Sequence, residues 1–364
     1  MSIYKTSPSV VSLLWVLRLI GNWSYNMDNY KLTHTIIKIA VENGIRYIQD
    51  NPKRGVRNLL DLGEYFASGC FQKSFFNLAH EMLNNEDSSY YTIIENAVKN
   101  INHDILTNFG INMGYNSFTY GAKIIRENEK TQGYKIPWVL VLDFREKNVN
   151  HLAEEEISDL INQGKNFGIY SYIILINKNN ILIDLSSIIK NNGDCAFIVT
   201  LNPEIINEEY AKEISNISNL CLLINLDDLD EHMSNIDLLK KYKCLYGGYF
   251  YYDCNTYSYI TNGVISDKIL SMNSNFGVMI GKQNCSHETA IDADDYIFDS
   301  RYNNSPVFIL DFYEDIDRVN KIISDKACFL SIDSIGQVNF DELENKTEYN
   351  IRTNSLKEIL KSTD

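Results

Sequence analysis

Positive charge is what this chain has least of: 33 lysines and arginines stand against 48 aspartates and glutamates, a net charge of −15 over 364 residues. A protein that neutralises a phosphate backbone or an anionic lipid surface needs clustered cations, so neither nucleic acid nor a membrane is expected as a partner. Long apolar runs are missing as well. The richest near the amino end, residues 10–20, is short and carries Arg18, and no small-residue cleavage site follows it, so neither a signal peptide nor a membrane span is expected. Closely paired cysteines are absent. The seven are Cys70, Cys195, Cys221, Cys244, Cys254, Cys285 and Cys328, an odd number whose nearest pair is ten residues apart. That spread excludes a disulfide framework and reads as reduced core thiols in a cytoplasmic protein. There is no GxxxxGK[ST] and no GxGxxG, so nucleotide binding by a phosphate loop has no support, and Gly247-Gly248 is not such a loop.

What the chain does have is a change of period. Residues before 130 lack strand alternation and read as helices over 13–17, 29–41, 58–66, 75–83 and 91–101, with a charged connecting helix over 121–133 that ends at Gly133. From Tyr134 the pattern alternates. The segment Tyr134-Lys-Ile-Pro-Trp-Val-Leu-Val-Leu-Asp-Phe144 has a buried-strand composition, and Ile157, Leu160, Ile161 and Phe167 mark a helix closed by Gly168. Further strands are expected over 170–176, 196–201, 220–226, 246–252, 278–280 and 306–312, with helices over 181–190, 204–217, 236–242 and 265–272 between them. Successive βα units require a parallel sheet wound in one hand. The stretch 328–338 reads as a hairpin turning at Ser334 to Gly336, and 355–361 as a terminal helix.

Several segments, taken in order, resemble one family. Lys135-Ile-Pro-Trp-Val-Leu-Val-Leu-Asp143 followed by Ile161-Asn-Gln-Gly-Lys-Asn-Phe-Gly-Ile-Tyr-Ser-Tyr172 is similar to the core of radical S-adenosylmethionine (radical SAM) enzymes. Asn51-Pro52 and Asn108-Phe-Gly-Ile-Asn-Met-Gly114 resemble a helical extension found in one subgroup, and Ile332-Asp333, Gly336, Val338, Asn350-Ile351 and Ser355-Leu-Lys-Glu-Ile359 resemble its closing hairpin and helix. The resemblance implies an α/β fold, a partial (β/α)6 TIM-like barrel preceded by an α-helical amino-terminal region. The implied domains are a helical region over 1–133, the barrel over 134–305 and a carboxyl-terminal strand, hairpin and helix over 306–364.

The family's chemistry needs three cysteines spaced C-x-x-x-C-x-x-C after the first strand, which hold a [4Fe–4S] cluster with one iron open to SAM. At that place stand Arg145, Glu146, Lys147, Asn148, Val149 and Asn150. The family's glycine-rich SAM segment after the second strand corresponds to Asn177, Lys178, Asn179 and Asn180. The T-N-G of the third strand reads Thr200-Leu-Asn202, and Asn339-Phe340 stands where some relatives have Pro-Cys. The resemblance therefore implies a pseudoenzyme with no cluster, no SAM and no catalytic or metal-binding residues. Its expected role is to bind a protein or peptide, an active radical SAM relative among them, at a mouth that is either plugged or a docking face.

Two alternatives stay open. One is an enzyme of changed, non-radical chemistry using Asp143, His151 and the acidic loop from Asp227 to Glu231; polar side chains converging in the mouth would favour it. The other is an active radical SAM enzyme with ligands drawn from distant cysteines. Cys285 with His287, and Asp292-Ala-Asp-Asp295, read as an incidental thiol and a solvated acidic loop rather than metal sites. Glu154, Glu155 and Glu156 suit a helix amino terminus, and Tyr249-Phe-Tyr-Tyr252 suits either strand packing or a pocket wall.

Overall fold

Apolar, β-branched segments form parallel strands, each hydrogen-bonded to the next in the chain: β1 (Val139–Phe144), β2 (Ser171–Ile176), β3 (Ala196–Leu201), β4 (Leu220–Asn225), β5 (Tyr246–Tyr252), β6 (Phe276–Gly281) and β7 (Phe308–Asp311). On the other side of β1 lie β8 (Ser331–Asp333), parallel to it, then β9 (Gln337–Asn339) and β10 (Lys346–Asn350), both antiparallel to their neighbours. Gly336 makes the hairpin turn with φ 85°. The computed structural model describes residues 27–66, 70–146, 150–177, 181–324, 328–340 and 346–363. The expected parallel strands are all present, and the expected hairpin with them.

Before the sheet come α1 (Met27–Asp50), α2 (Pro52–Phe66), α3 (Cys70–Asn84), α4 (Ser89–Asn100), α5 (His103–Ile111), a π-helix (Asn112–Gly121) and α6 (Ala122–Gln132). Within and after it come α7 (Glu154–Phe167), α8 (Ile181–Asn191), α9 (Glu208–Ile214), α10 (Met233–Lys241), α11 (Ser258–Thr261), α12 (Val264–Ser271), α13 (His287–Tyr302), α14 (Phe312–Ile323) and α15 (Leu356–Leu360). The helix expected over 13–17 lies outside the described residues. Three expectations need correction. The helix over 204–217 is shortened to α9, because Pro203 starts a separate turn and Asn207 caps the amino end through Tyr210 N. Asp292, Asp294 and Asp295 are not in a loop but inside α13, started by Ser286 accepting from Thr289 N; Arg318 of α14 neutralises Asp294. Residue 312 begins a helix, since Asp311 accepts from Tyr313 N and Glu314 N at 3.1 Å each and so caps α14.

Strand register divides the sheet into two faces. Leu140, Leu142, Tyr172, Ile174, Phe197, Val199, Leu222, Ile224 and Met279 share one face and are wholly buried. Helices cover it closely: the Tyr172 hydroxyl donates to Ile161 O of α7, and a Cβ on Gly164 would stand 2.5 Å from that hydroxyl. The opposite face carries Ser171, Thr200, Gly247, Tyr249 and Tyr251 among buried apolar side chains that include Val141, Ile173, Leu175, Leu223 and Ile280. The amino-terminal helices keep a small apolar core of their own, Ile45, Ile48, Val56, Leu83, Tyr91 and Val98.

Those helices meet the sheet at the starts of its strands. Asn112 donates to Gly193 O and Cys195 O, and Asn116 to Asp194 O, all just before β3. Asn102 N donates to Lys243 O before β5, Asn96 to Asn275 Oδ1 before β6, and Tyr90 OH to Arg301 O before β7. Ser171 bonds Ser117 of the π-helix at 2.9 Å. The helical region thus seals the amino end of the barrel and leaves the carboxyl end to other groups.

β7 is an edge, and an unpaired strand edge invites pairing with other chains. Side chains blunt it. Ser305 Oγ donates to Val307 O and accepts from Val307 N, Arg301 Nε donates to Ile309 O at 3.0 Å, and Asp315 accepts from Asp311 N at 2.8 Å. Arg301 and Asp315 also pair with each other, their side chains only 10% and 15% exposed. Arg301→Ala is expected to cost no more than about 3 kcal/mol, since Asp315 loses that partner and keeps Arg318 at 3.1 Å. It is also expected to make the protein self-associate, read by denaturant midpoint and by sedimentation at increasing concentration.

Asp311 is 2% exposed, and burial, with Asp294 and Asp315 nearby, raises its pKa to about 6, against the opposing bonds from Glu314 N and Tyr252 OH. The folded pKa lies above the unfolded one, so the folded state binds the extra proton and its stability is greatest below pH 4 on this account, declining as pH rises through 6. Asp311→Asn is expected to remove that decline, on the order of 3 kcal/mol between pH 4 and 7. Paired urea titrations of both proteins across that range measure it.

Candidate functional site

In barrels built of βα units the carboxyl ends of the strands carry function. Here that end is crossed by one chain of polar contacts. Asp143, on the inner face of β1, accepts from Arg145 Nε at 2.8 Å and Nη2 at 2.5 Å. Arg145 Nη1 then donates to the Tyr251 hydroxyl of β5 at 3.3 Å, with the guanidinium 5.7 Å from the ring centre. Tyr251 meets Tyr249 edge to face at 5.5 Å, and Tyr249 OH donates to Asn202 Oδ1, which also accepts from Asn225 Nδ2 at 3.2 Å. Asn225 Oδ1 accepts from Asp227 N. β1 and β5 are separated by four strand spacings, roughly 19 Å in a flat sheet, so the contact requires the sheet to curl until those strands face each other.

The electrostatics follow from this geometry. The bonds to Asp143 push the Arg145 guanidinium above its ordinary pKa, against the opposing effect of burial. Burial raises the Tyr251 and Tyr249 hydroxyls, so both stay protonated and able to donate. Asp227, on the rim after β4, is also raised by partial burial and by Asp228, against Lys282 and Lys268.

Of the residues at the expected cluster loop, Arg145 forms this bridge, Glu146 and Asn150 are exposed, and Lys147, Asn148 and Val149 lie outside the described residues. The loop's return is also held by an arginine: Arg352 donates to Asn150 O and His151 O and pairs with Glu156 at 2.7 Å. Of the expected SAM segment, Asn177 donates to Arg145 O at 3.2 Å, and Lys178, Asn179 and Asn180 lie outside the described residues. Thr200 Oγ1 is taken up by Ile176 N and O. Glu156 accepts from Ala153 N at the start of α7, as its position promised.

Cys195, Cys244 and Cys328 precede strands and Cys221 lies within β4, all buried; Cys254 and Cys285 follow β5 and β6 at the carboxyl end. Among the described residues no three cysteine, histidine or carboxylate side chains come together as a metal-binding group. The Arg145 bridge and the role of Asn225 escaped the sequence reading, since a charge just after a strand looks like any loop residue.

No family model matches the chain, and no curated protein sequence does. Among solved structures it is similar to SuiB of Streptococcus suis bound to precursor peptide SuiA, at a TM-score of 0.50 and 12% identity over 65% of this chain and 67% of that one. The fold is radical SAM-like. The match spans about two thirds of the length of SuiB in that complex. SuiB in a further structure gives 0.48 at 12% identity over 74% and 81% of the two chains, and anSMEcpe with bound AdoMet and Cp18Cys peptide gives 0.43 at 12% over 61% and 79%. Among the described residues no helix is long and apolar enough to cross a membrane.

Arg145→Met leaves Asp143, whose side chain is 21% exposed, without its cation. A loss of about 2 kcal/mol in unfolding free energy is expected, less in an Asp143→Leu, Arg145→Met double variant than the two single losses add up to. Urea midpoints of the four proteins check it.

Proposed function

We propose that this radical SAM-like barrel is a pseudoenzyme, a cytoplasmic protein that binds a peptide or another protein at its carboxyl-end mouth and carries neither a [4Fe–4S] cluster nor SAM. The observation that supports it most is the Arg145 bridge. The residue that opens the cluster loop in the family resemblance is here a cation, tied to Asp143 and laid across to Tyr251. A cluster with one open iron needs three thiolates together. The described residues do not fit it: the carboxyl end offers Cys254 and Cys285 after β5 and β6, and none after β1. A peptide guest draws on SuiB, whose solved complex holds precursor peptide SuiA.

An enzyme of non-radical chemistry in the same mouth is the second reading. The run of polar contacts from Asp143 to Asp227 and the raised Asp227 favour it. Against it, Asp143 is committed to Arg145 and so withdrawn as a base, and His151 lies at the hairpin side, its carbonyl bonded to Arg352.

Anaerobic reconstitution with iron and sulfide, followed by metal analysis and calorimetric titration with SAM, tests the proposal. Background iron and no heat of SAM binding are expected. About four irons per chain, or saturable SAM binding, would sink it.

A further inference from the structure

Resting on the reading of the mouth as a guest site, we propose that the mouth recognises its peptide through a lysine or arginine residue, the side-chain cation meeting Asp227 and a backbone carbonyl meeting Asn202 Nδ2. Asp227 stands on the rim after β4, and among the described residues no side chain donates to its carboxylate. The nearby lysines are engaged elsewhere. Lys268 Nζ donates to Leu226 O at 2.8 Å and pairs with Asp230, and Lys282 pairs with Asp253 at 3.0 Å. A rim carboxylate that makes no ion pair of its own is open to an incoming cation, whose charge-assisted hydrogen bond is stronger than a neutral one.

The second observation is independent of that charge. Asn202 is only 5% exposed. Its Oδ1 is used twice, by Asn225 Nδ2 and by Tyr249 OH, whereas its Nδ2 donates to nothing among the described residues. That nitrogen is not sealed inside the protein, so its unused donor is open to an acceptor from outside the chain. Tyr249 connects the two groups: its hydroxyl is bonded to Asn202 and feels the charges of Asp227 and Asp228. A ligand with a cation and a carbonyl a few atoms apart satisfies both, which is the chemistry of a basic residue within a polypeptide. The net charge of −15 favours approach of such a guest.

The test is to pan a random heptapeptide library on the full chain and synthesise the enriched sequences. Enrichment with lysine or arginine at one fixed position is expected, with binding weakened roughly tenfold in Asp227→Asn and on replacing that lysine by norleucine. Asp227 is exposed, so an unchanged melting temperature is expected for the variant. Enriched peptides with no fixed cation, or bound equally by wild type and Asp227→Asn, would overturn this inference and leave the guest reading standing. No enrichment at all would overturn both.

Discussion

Arg145 reaches Tyr251 only because the parallel strands accumulate twist in one hand until β1 and β5 face each other. That curl is set on the other side of the sheet. The outer face is a continuous apolar layer of branched and aromatic residues under helices packed so closely that Gly164 and Gly277 leave no room for a side chain. Outer packing fixes the curvature, curvature brings distant strands together, and only then do polar groups from β1, β3, β4 and β5 form one contact chain. The polar inner side chains meet because of that geometry, while the apolar ones beside them, Val141, Ile173, Leu175 and Leu223, are part of the core.

At the opposite end the solution is different. Strand starts expose backbone carbonyls that water or side chains must satisfy, and here amide side chains do it. Asn219 alone bonds Ile189 O, Asn192 O and Cys195 O, and Asn112 and Asn116 come in from the π-helix to neighbouring carbonyls. Each such bond contributes about 1 kcal/mol net. Their larger effect is to fix where the helical region sits, so that it closes one end of the barrel and leaves the other.

The strands were legible because β-branched runs such as 139–142 and 172–176 have few alternatives once buried on both sides. α7 was legible from its acidic start and its glycine stop. α13 was not: only Ala293 and Ile297 of it are buried, and Asp294 looks solvated until Arg318 of another helix supplies its partner. The π-helix left no trace in the pattern, since its stability comes from asparagines bonded to a loop some eighty residues on. The candidate site was legible as a place and not as a structure. The end of β1 and the loops after β2 and β4 could be named from strand order, but the contact between residues 145 and 251 depends on curvature, which no local pattern records.

The π-helix over Asn112–Gly121 has a further consequence, for changes of length rather than of residue type. A π-helical tract holds more chain per turn than an α-helix and is continuous here with α5 on one side and α6 on the other. It therefore stores slack. The loss of one residue downstream of Asn116 can be taken up by tightening a turn toward α geometry, and a gain by extending the wide one. Insertions and deletions at this joint alter how much of the tract is wide-turned, while Asn112 keeps its grip on the barrel and α6 still delivers the chain to β1.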